Sequence, residues 1–400
     1  FLVSNDTRAG ATMQRIRMQF MLNIRRVGKF FFALGLLFFY CEYVMYYVVL
    51  LQCSWPTLET KNIDLLVNVS PSASRKQVKS MILADTHLLG WSQGHWFDKI
   101  RREWQMERSF KSASLLFSPD AVFILGDIFD EGKWANDKEF NEHVQRFRKM
   151  FPHSTDTEMQ VLVGNHDVGF HYMMSDHKLK RFEDSFKADM VRMVNLDGSL
   201  FILVNSMALE GDGCKLCMTA RIKLKKIARQ LQYPSLKCDG VEAIPYSRPI
   251  LMQHFPLFRD SDEECSGLDA APEDEKTIKF KPQIDALSRE ATQELFQWFE
   301  PRLVITAHTH HGCFTLHKFK KSSIPEWTVP SFSWRNRKNP SFLLVRLFTI
   351  PFIKVFSQTM QFLMCRSKQV IVTSGLILIF CWFISPVILR CKLSRYRKES

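Results

Sequence analysis

Five short apolar runs in this sequence each end in a carboxylate, amide or imidazole side chain. The runs are MILADTH from Met81, AVFILGDIFDEG from Ala121, VLVGNHD from Val161, PILMQHF from Pro249 and LVITAHTH from Leu303. Runs of this length that are rich in β-branched residues predict buried strands. Because strand ends hold side chains rigidly, several converging strand ends can enclose a metal site.

Helices are predicted between these strands. The segment SREATQELFQWFEP has a serine, Ser288, in position to cap a helix and a proline, Pro301, that ends it. FILVNSM, from Phe201, predicts a further strand without an obvious ligand. Strands mixed with helices favour an α/β sandwich over an all-β domain.

The polar residues at the strand ends form a candidate set of metal ligands. They are Asp85, His87, Asp127, Asn165, His254, His308 and His310. Seven donors are too many for one tetrahedral ion, and they suit two ions that share a bridging carboxylate. The mixture of oxygen and nitrogen donors suits Mn²⁺, iron or Zn²⁺ and excludes a thiolate site. Each histidine alone has an ordinary structural explanation, so the prediction depends on their joint placement.

The charge of such a site indicates its chemistry. Two carboxylates facing two dications leave a surplus of about two positive charges. That surplus attracts phosphate oxygens and lowers the pKa of water toward neutrality. The sequence has no glycine-rich phosphate-binding loop, so the pattern predicts phosphoester hydrolysis and not nucleotide-driven transfer.

Two segments are apolar enough to predict transmembrane helices. Residues 30–51 contain one acidic residue, Glu42, and residues 369–389 contain no charged residue. Each is close to the roughly 20 residues that cross a bilayer as a helix. The first is longer than the apolar part of a cleaved signal peptide. The alternative, a pair of buried core helices, leaves the basic flanks of both segments unexplained.

Basic residues flank both apolar segments on their outer sides. They are Arg15, Arg17, Arg25, Arg26 and Lys29 before the first segment, and Arg390, Lys392, Arg395, Arg397 and Lys398 after the second. With Glu399, these flanks account for nine of the thirteen net positive charges, so the charge is no evidence for nucleic-acid binding. The positive-inside rule places both termini in the cytoplasm and the stretch between the spans in the lumen or outside.

The CKLC stretch, Cys214 to Cys217, suits either half of a zinc site or a disulfide. No matching second pair is present, and a translocated domain permits disulfides. Disulfide bonding is therefore favoured.

The order of the polar motifs resembles that of the calcineurin-like metallophosphoesterases: D-x-H, G-D-x-x-D, G-N-H-D, a later lone histidine and H-x-H. The resemblance implies a two-sheet β-sandwich flanked by helices. It implies one metal ion held by Asp85, His87, Asp127 and His310, and a second held by Asp127, Asn165, His254 and His308. It also implies that His166 protonates the leaving group and that Asp167 orients His166. Ala307 stands where the family usually has glycine, and its methyl group should require only a small backbone adjustment.

One departure from the related protein Ser/Thr phosphatases concerns substrate charge. Those enzymes usually have an arginine where this chain has Glu131, in the stretch GDIFDEG. An arginine clamps a dianionic phosphomonoester. An acid at that position therefore predicts a preference for a phosphodiester, which carries one charge less.

Further stretches resemble the membrane-anchored branch of this family that remodels glycosylphosphatidylinositol (GPI) anchors. They are FDKIRREWQMER, GDIFDEGKW, GNHDVGFHY and PSFSWRNRKNPSF. The resemblance implies a Mn²⁺-dependent phosphodiesterase that removes ethanolamine phosphate from the second mannose. Its substrates would be GPI-anchored proteins, whose transport from the endoplasmic reticulum to the Golgi it would promote. Two alternatives stay open: a phosphatase of another lumenal lipid or nucleotide phosphate, and a cargo-binding adaptor with an inactive site.

These features together predict five regions along the chain. They are a cytoplasmic tail (1–29), a transmembrane helix (30–51), a lumenal metallophosphoesterase domain (52–368), a second transmembrane helix (369–389) and a basic cytoplasmic tail (390–400). The final RYRKES resembles a dilysine-type retrieval signal recognised by coat proteins, or is an ordinary basic flank. As a signal it would keep the enzyme at endoplasmic reticulum exit sites, the intermediate compartment and the cis-Golgi.

Overall fold

The structure, a computed structural model, describes residues 3–56, 76–210, 213–232, 248–349 and 361–366. The chain divides into two compact units, and the larger one is Val49–Ser367. The smaller unit contains the N-terminal helical region, and the candidate site lies in the larger unit.

The N-terminal region is helical from Val3 to Leu50. It consists of α1 (Val3–Phe39), a π-helical turn (Tyr40–Val44) and α2 (Met45–Leu50). Within the described residues, one helical stretch, Arg17–Leu50, is long and apolar enough to cross a membrane. It contains almost all of the predicted first span and begins earlier. The predicted second span, 369–389, and the tail, 390–400, lie outside the described residues.

The larger unit alternates strands with helices. Its strands are β1 (Lys76–Leu83), β2 (Ala121–Leu125), β3 (Glu158–Leu162), β4 (Val191–Leu196), β5 (Ser199–Val204), β6 (Ile250–Gln253), β7 (Leu303–Thr306), β8 (Cys313–Phe319), β9 (Ser322–Thr328), β10 (Ser341–Thr349) and β11 (Gln361–Arg366). Its helices are α3 (Trp96–Phe117), α4 (Asp137–Met150), α5 (Asn165–Val168), α6 (Asp176–Phe186), α7 (Lys215–Gln232), α8 (Glu273–Lys276) and α9 (Arg289–Phe299), and Ser206–Leu209 form a 3₁₀ turn.

The strands form two mixed sheets. The first has the order β11-β10-β1-β2-β3 and the second has the order β4-β5-β6-β7-β9-β8. Neighbouring strands β1, β2 and β3 are parallel, and so are β5, β6, β7 and β9. Each sheet therefore has a parallel region whose carboxyl ends lie along one edge.

The two sheets pack against each other through one buried cluster. Ile82 and Phe123 of the first sheet share this cluster with Phe201 and Ile305 of the second. The ring centroids of Phe123 and Phe201 are 4.9 Å apart. Because successive side chains of a strand point to opposite faces, the remaining strand residues are available to pack against helices.

A second cluster forms between the sheets and the helices. It contains Ile124 of β2, Phe110 of α3, Phe140 of α4 and Leu295 of α9. The α9 helix begins as predicted, since the Ser288 side chain accepts a hydrogen bond from the backbone N–H of Ala291. The predicted two-sheet α/β architecture flanked by helices is confirmed.

Among the residues that the structure describes, two disulfides join segments of the larger unit. Cys214 pairs with Cys217 at the start of α7, and Cys265 pairs with Cys313 at the start of β8. The preference for a disulfide over a zinc site at CKLC is therefore confirmed. The second bridge joins the loop that follows β6 to the strand that follows the H-x-H motif.

Candidate active site

Every predicted ligand lies just beyond the carboxyl end of a parallel strand. Asp85 and His87 follow β1, Asp127 follows β2, Asn165 follows β3, His254 follows β6, and His308 and His310 follow β7. Both sheets contribute, because the first three strands belong to one sheet and the last two to the other. The packing of the sheets thus brings residues more than 200 positions apart to one edge of the sandwich.

Five of the seven predicted ligands have left-handed backbone conformations. The φ angles are 52° at Asp85, 44° at His87, 47° at Asp127, 75° at His308 and 63° at His310. Aspartate and histidine tolerate this region better than most residues do, but each such residue still costs about 1–3 kcal/mol. The surrounding contacts must therefore hold these residues in place, as is common at functional sites.

Asp85, His87 and His310 form the first group of donors. One donor atom from each lies within 4.8 Å of the others. The Nε2 atoms of His87 and His310 are 3.1 Å apart, and Nε2 of His310 is 4.0 Å from Oδ1 of Asp85. Nδ1 of His87 donates to Oδ1 of Asp130 at 3.1 Å. A neutral imidazole that donates from Nδ1 has its lone pair on Nε2, so that atom is available to a metal.

Asp127, His254 and His308 form the second group, again within 4.8 Å of one another. Nδ1 of His254 donates to the carbonyl of Leu125 at 2.7 Å, which leaves Nε2 as the ligand atom in the neutral ring. That Nε2 atom lies 3.2 Å from Oδ1 of Asn165. Asn165, the predicted fourth donor of the second group, therefore lies next to the other three.

Asp127 lies between the two groups. Its Oδ2 is 3.6 Å from Nε2 of His87 and 3.3 Å from Nε2 of His254. Its Oδ1 accepts the backbone N–H of His166 at 2.7 Å. One carboxylate thus faces a histidine of each group while a backbone hydrogen bond fixes its orientation.

Two buried atoms at the site lack a hydrogen-bond partner among the described residues: Oδ1 of Asp85 and Nδ1 of His308. Unpaired buried polar atoms are costly unless a ligand pairs with them. Burial also raises the pKa of Asp85 to about 7, so its charged form needs a nearby cation. Divalent cations would supply both missing partners, and the residues present therefore fit metal ions.

His166 lies beside the first group. Its ring centroid is 4.8 Å from that of His87, and its side chain is 30% exposed. Nδ1 is 2.9 Å from the carbonyl oxygen of Asp130. Because a carbonyl only accepts, Nδ1 carries the proton, and Nε2 is the nitrogen that can exchange a proton with a substrate.

The predicted contact between Asp167 and His166 is wrong. Asp167 is fully buried, and its oxygens accept the backbone N–H groups of Phe129, at 3.0 Å, and Gly164, at 2.9 Å. These bonds tie the loop after β2 to the loop after β3. The carbonyl of Asp130 instead holds the His166 ring, and the carboxylate oxygen Oδ1 of Asp130 lies 3.5 Å from the same Nδ1 atom.

The Asp167→Asn variant is expected to lose stability without a selective loss of acid catalysis. An amide has only one acceptor oxygen, so one of the two backbone N–H groups loses its partner, which costs about 1–3 kcal/mol. Thermal unfolding of the purified full chain would measure this loss. An unchanged unfolding temperature, together with a selective loss of activity on substrates with poor leaving groups, would instead support a catalytic role for Asp167.

Glu131 also has a different role from the predicted one. Its carboxylate accepts the backbone N–H groups of Ser92, at 3.1 Å, and Gln93, at 2.8 Å. Its side chain also lies against Gly90, where an added Cβ would be 2.3 Å from the Glu131 carboxylate. Glu131 therefore fixes the loop that follows His87, and the predicted repulsion of a substrate charge by this acid has no support. This position nevertheless lacks the arginine that the related protein Ser/Thr phosphatases usually have.

Asp130 and Arg335 are site residues that the sequence analysis did not single out. Asp130 accepts from Nδ1 of His87 and forms an ion pair with Arg335. Burial opposes the charge of Asp130, but the hydrogen bond from His87 and the ion pair hold its pKa well below the ordinary value. Asp130 is the second aspartate of GDIFD, and its position in that motif was the available signal for it. Arg335 lies 205 positions away, in a loop between β9 and β10, and its stretch, PSFSWRNRKNPSF, gave no indication of this ion pair.

Comparisons with known proteins agree with this site. A sequence model of the calcineurin-like phosphoesterase family matches residues 78–312. Metallophosphoesterase 1 of Gallus gallus is 51% identical over 312 residues, covering 76% of this chain and 77% of the relative. Metallophosphoesterase 1 of Xenopus laevis is 48% identical over 332 residues, covering 80% and 79%.

Among solved structures, a predicted phosphoesterase from Streptococcus pneumoniae covers 72% of this chain and 99% of its own, with 11% identity and a TM-score of 0.26. A TM-score of this size is too low to compare the folds in detail. The match of the family model and the identity to the two relatives are sufficient: the chain belongs to the calcineurin-like phosphoesterases and is a metal-dependent phosphoesterase.

Proposed function

We propose that this chain is a phosphodiesterase that removes the ethanolamine-phosphate branch from the second mannose of GPI anchors. The convergence of seven metal-competent side chains from the strand ends of both sheets is the observation that carries the phosphoesterase part of this proposal. The narrower substrate is supported by the resemblance of FDKIRREWQMER, GDIFDEGKW, GNHDVGFHY and PSFSWRNRKNPSF to stretches of GPI-anchor remodelling enzymes. Removal of the branch would promote the transport of GPI-anchored proteins from the endoplasmic reticulum to the Golgi.

Two divalent ions, expected to be Mn²⁺, would occupy the two groups of donors. Asp85, His87 and His310 would hold one ion, and Asn165, His254 and His308 would hold the other, with Asp127 shared. Such ions neutralise phosphate charge and lower the pKa of water, so that a nucleophile is available near neutral pH.

The chain's own residues orient this site and move a proton. Asp130 holds the His87 ring through Nδ1, and Leu125 holds the His254 ring in the same way. His166, when it is protonated on both ring nitrogens, would donate the Nε2 proton to the mannose oxygen as the phosphorus–oxygen bond breaks, because a sugar alkoxide is a poor leaving group. The Asp130 carbonyl supports this role by fixing Nδ1 as the other donor.

The alternative enzymatic function is that of a phosphatase acting on another lumenal lipid or nucleotide phosphate. A dianionic monoester would need an additional clamping cation, which an arginine after G-D-x-x-D supplies in the protein phosphatases. Arg335 is close to the site, but Asp130 pairs with its charge. The diester, with one negative charge less, therefore suits the site better.

The purified full chain with Mn²⁺ is expected to prefer an ethanolamine-phosphate glycan over the matching glycan phosphomonoester. The missing charged contact is worth about 1.5–3 kcal/mol, which corresponds to roughly a ten- to hundred-fold lower kcat/KM for the monoester. Steady-state hydrolysis of both glycans would measure the ratio. A higher kcat/KM for the monoester would favour the phosphatase reading.

A cargo-binding adaptor with an inactive site is the alternative function that is not enzymatic. Loss of a bridging metal ligand would favour an adaptor. In the described part of the chain, all seven predicted donors are present, and six of them fall into two compact groups. The adaptor reading therefore has no supporting observation at the site.

We propose that the enzyme spans the membrane twice, with both tails in the cytoplasm and the catalytic domain in the lumen. The helix Arg17–Leu50 and the basic flanks of both predicted spans support this topology. The compartments would be endoplasmic reticulum exit sites, the intermediate compartment and the cis-Golgi, with coat proteins recognising the C-terminal tail.

Protease added to sealed microsomes is expected to remove both tails and to spare the chain from about Cys53 to Cys365. The membrane would exclude the protease from the lumenal domain. Immunoblotting with antibodies against the tails and against the central region would distinguish the products. Digestion of the central region in vesicles that still protect a lumenal marker would contradict the topology.

A further inference from the structure

The loop that joins β9 to β10 lies against the first group of donors. It comprises residues 329–340 and contains most of the PSFSWRNRKNPSF stretch. Two polar residues of this loop, Ser331 and Arg337, are buried. Burying polar side chains is costly unless they have hydrogen-bond partners, so their partners indicate what the loop holds in place.

Ser331 binds the backbone of two ligands of the first group. Its Oγ donates to the carbonyl of Asp85 at 2.7 Å, and its backbone N–H donates to the carbonyl of His310 at 3.1 Å. Asp85 follows a strand of the first sheet and His310 follows a strand of the second, so one residue joins the two. Both ligands have positive φ angles, and such conformations persist only where surrounding contacts hold them.

Arg337 binds the same carbonyl of His310. Its Nη1 donates to that carbonyl and to the carbonyl of Asp269, each at 3.1 Å, and its Nη2 donates to Oδ1 of Asp269 at 3.2 Å. The side chains of Arg337 and Asp269 are only 6% and 8% exposed. Because the planar guanidinium fixes the direction of its donors, this buried pair holds the His310 backbone rigidly.

Arg335 supports the third ligand of the first group through one intermediate residue. It forms an ion pair with Asp130, and Asp130 accepts the Nδ1 proton of His87 at 3.1 Å. A carboxylate that accepts from a metal-binding histidine fixes the orientation of the ring. The β9–β10 loop therefore contacts each ligand of the first group, either directly or through Asp130.

Other segments hold the histidines of the second group. The carbonyl of Leu125, the last residue of β2, accepts the Nδ1 proton of His254 at 2.7 Å. The carbonyl of Ile284, before α9, accepts the Nε2 proton of His308 at 2.8 Å. Loss of a contact from the β9–β10 loop should therefore leave these two rings in place.

We infer that the β9–β10 loop positions the ligands of the first metal ion, with Ser331 and Arg337 as positioning residues for Asp85 and His310. The loop holds both ligands in their left-handed conformations, so that their side chains are already arranged when the ion binds. The inference rests on the two-ion arrangement proposed above and is independent of the GPI substrate.

Titration of the full chain with Mn²⁺ tests this role in variants that keep only one complete group of donors. His254→Ala leaves the first group complete, and His310→Ala leaves the second group complete. Free Mn²⁺ would be measured by electron paramagnetic resonance. In the His254→Ala background, Ser331→Ala is expected to raise the Kd of Mn²⁺ roughly ten- to hundred-fold, the range for residues that orient metal ligands. In the His310→Ala background it should leave the Kd unchanged.

The comparison of the two backgrounds separates positioning from a general loss of structure. Equal weakening in both backgrounds, or an unchanged Kd in the His254→Ala background, would overturn the inference. Ser80→Ala is the matched control, because Ser80 is equally buried, in β1, and its Oγ lacks a hydrogen-bond partner among the described residues. This control should change neither Kd. Titration of the wild type tests the two-ion arrangement separately, since fewer than two bound ions would refute that arrangement.

A second pair of variants tests the role of Arg337. Arg337→Lys keeps the charge beside Asp269 but loses the planar fork, so it should also weaken Mn²⁺ binding only in the His254→Ala background. Arg259→Lys is its control, because Arg259 is a similarly buried arginine that pairs with Asp262 at 2.8 Å. It should lower the unfolding temperature of the chain about as much without changing either Kd. An equal rise in Kd in the two lysine variants would refute the positioning role of Arg337.

Discussion

Asp127→Asn is expected to remove at least one metal ion per molecule and to reduce phosphodiester hydrolysis to background. Asp127 faces a histidine of each donor group, at 3.6 Å and 3.3 Å from its Oδ2. The backbone N–H of His166 would retain the amide oxygen of asparagine, since Oδ1 already accepts it. The amide nitrogen would then face both histidines, without a lone pair or a negative charge to share between two cations.

Elemental analysis of the purified variant, together with its rate on a nitrophenyl phosphodiester, would test this expectation. Asp120→Asn is a matched control, because it removes the same charge just before β2, where the side chain accepts the backbone N–H of Lys79. The control should keep both metal ions and full activity. Two metal ions per chain in Asp127→Asn would contradict the shared role of Asp127.

His166→Ala is expected to keep both metal ions and to slow hydrolysis of the glycan by about two to four orders of magnitude, the range for general acid catalysis. The reason is the arrangement of its ring: Nδ1–H is bound to the Asp130 carbonyl, so the ring protonated on both nitrogens supplies the proton from Nε2. A mannose oxygen needs that proton to leave. Nitrophenolate is stable without one, so hydrolysis of a nitrophenyl phosphodiester should fall little.

The contrast between the two substrates is the decisive measurement, with metal content determined in each preparation. His177→Ala provides a control, because His177 is an exposed histidine paired with Asp137 on the surface and should affect neither substrate. An equal loss on both substrates in His166→Ala would mean that His166 stabilises charge on phosphorus or supports the site. The general-acid role would then have to be abandoned.

The sequence by itself determined six of the strands, β1–β3 and β5–β7, and the polar residues that follow five of them. These features depend on local pattern: an apolar run long enough to be buried, followed at once by Asp, Asn or His, is visible in any stretch such as VLVGNHD. The capped helix at Ser288 and the disulfide at CKLC were predictable for the same reason, since both depend on residues a few positions apart. The ordered motif set then sufficed to indicate the family.

Only the tertiary structure decided how these residues meet. His87 and His310 are 223 positions apart in the chain, and their Nε2 atoms come within 3.1 Å because the two sheets pack face to face, with the carboxyl ends of their parallel strands at the same edge of the sandwich. The orienting partner of His166 is a backbone carbonyl, and Glu131 binds backbone N–H groups. Backbone atoms are the same at every residue, so sequence patterns do not reveal which of them a side chain will contact. The left-handed conformations at five ligands likewise arise because packing and hydrogen bonds outweigh local backbone preference.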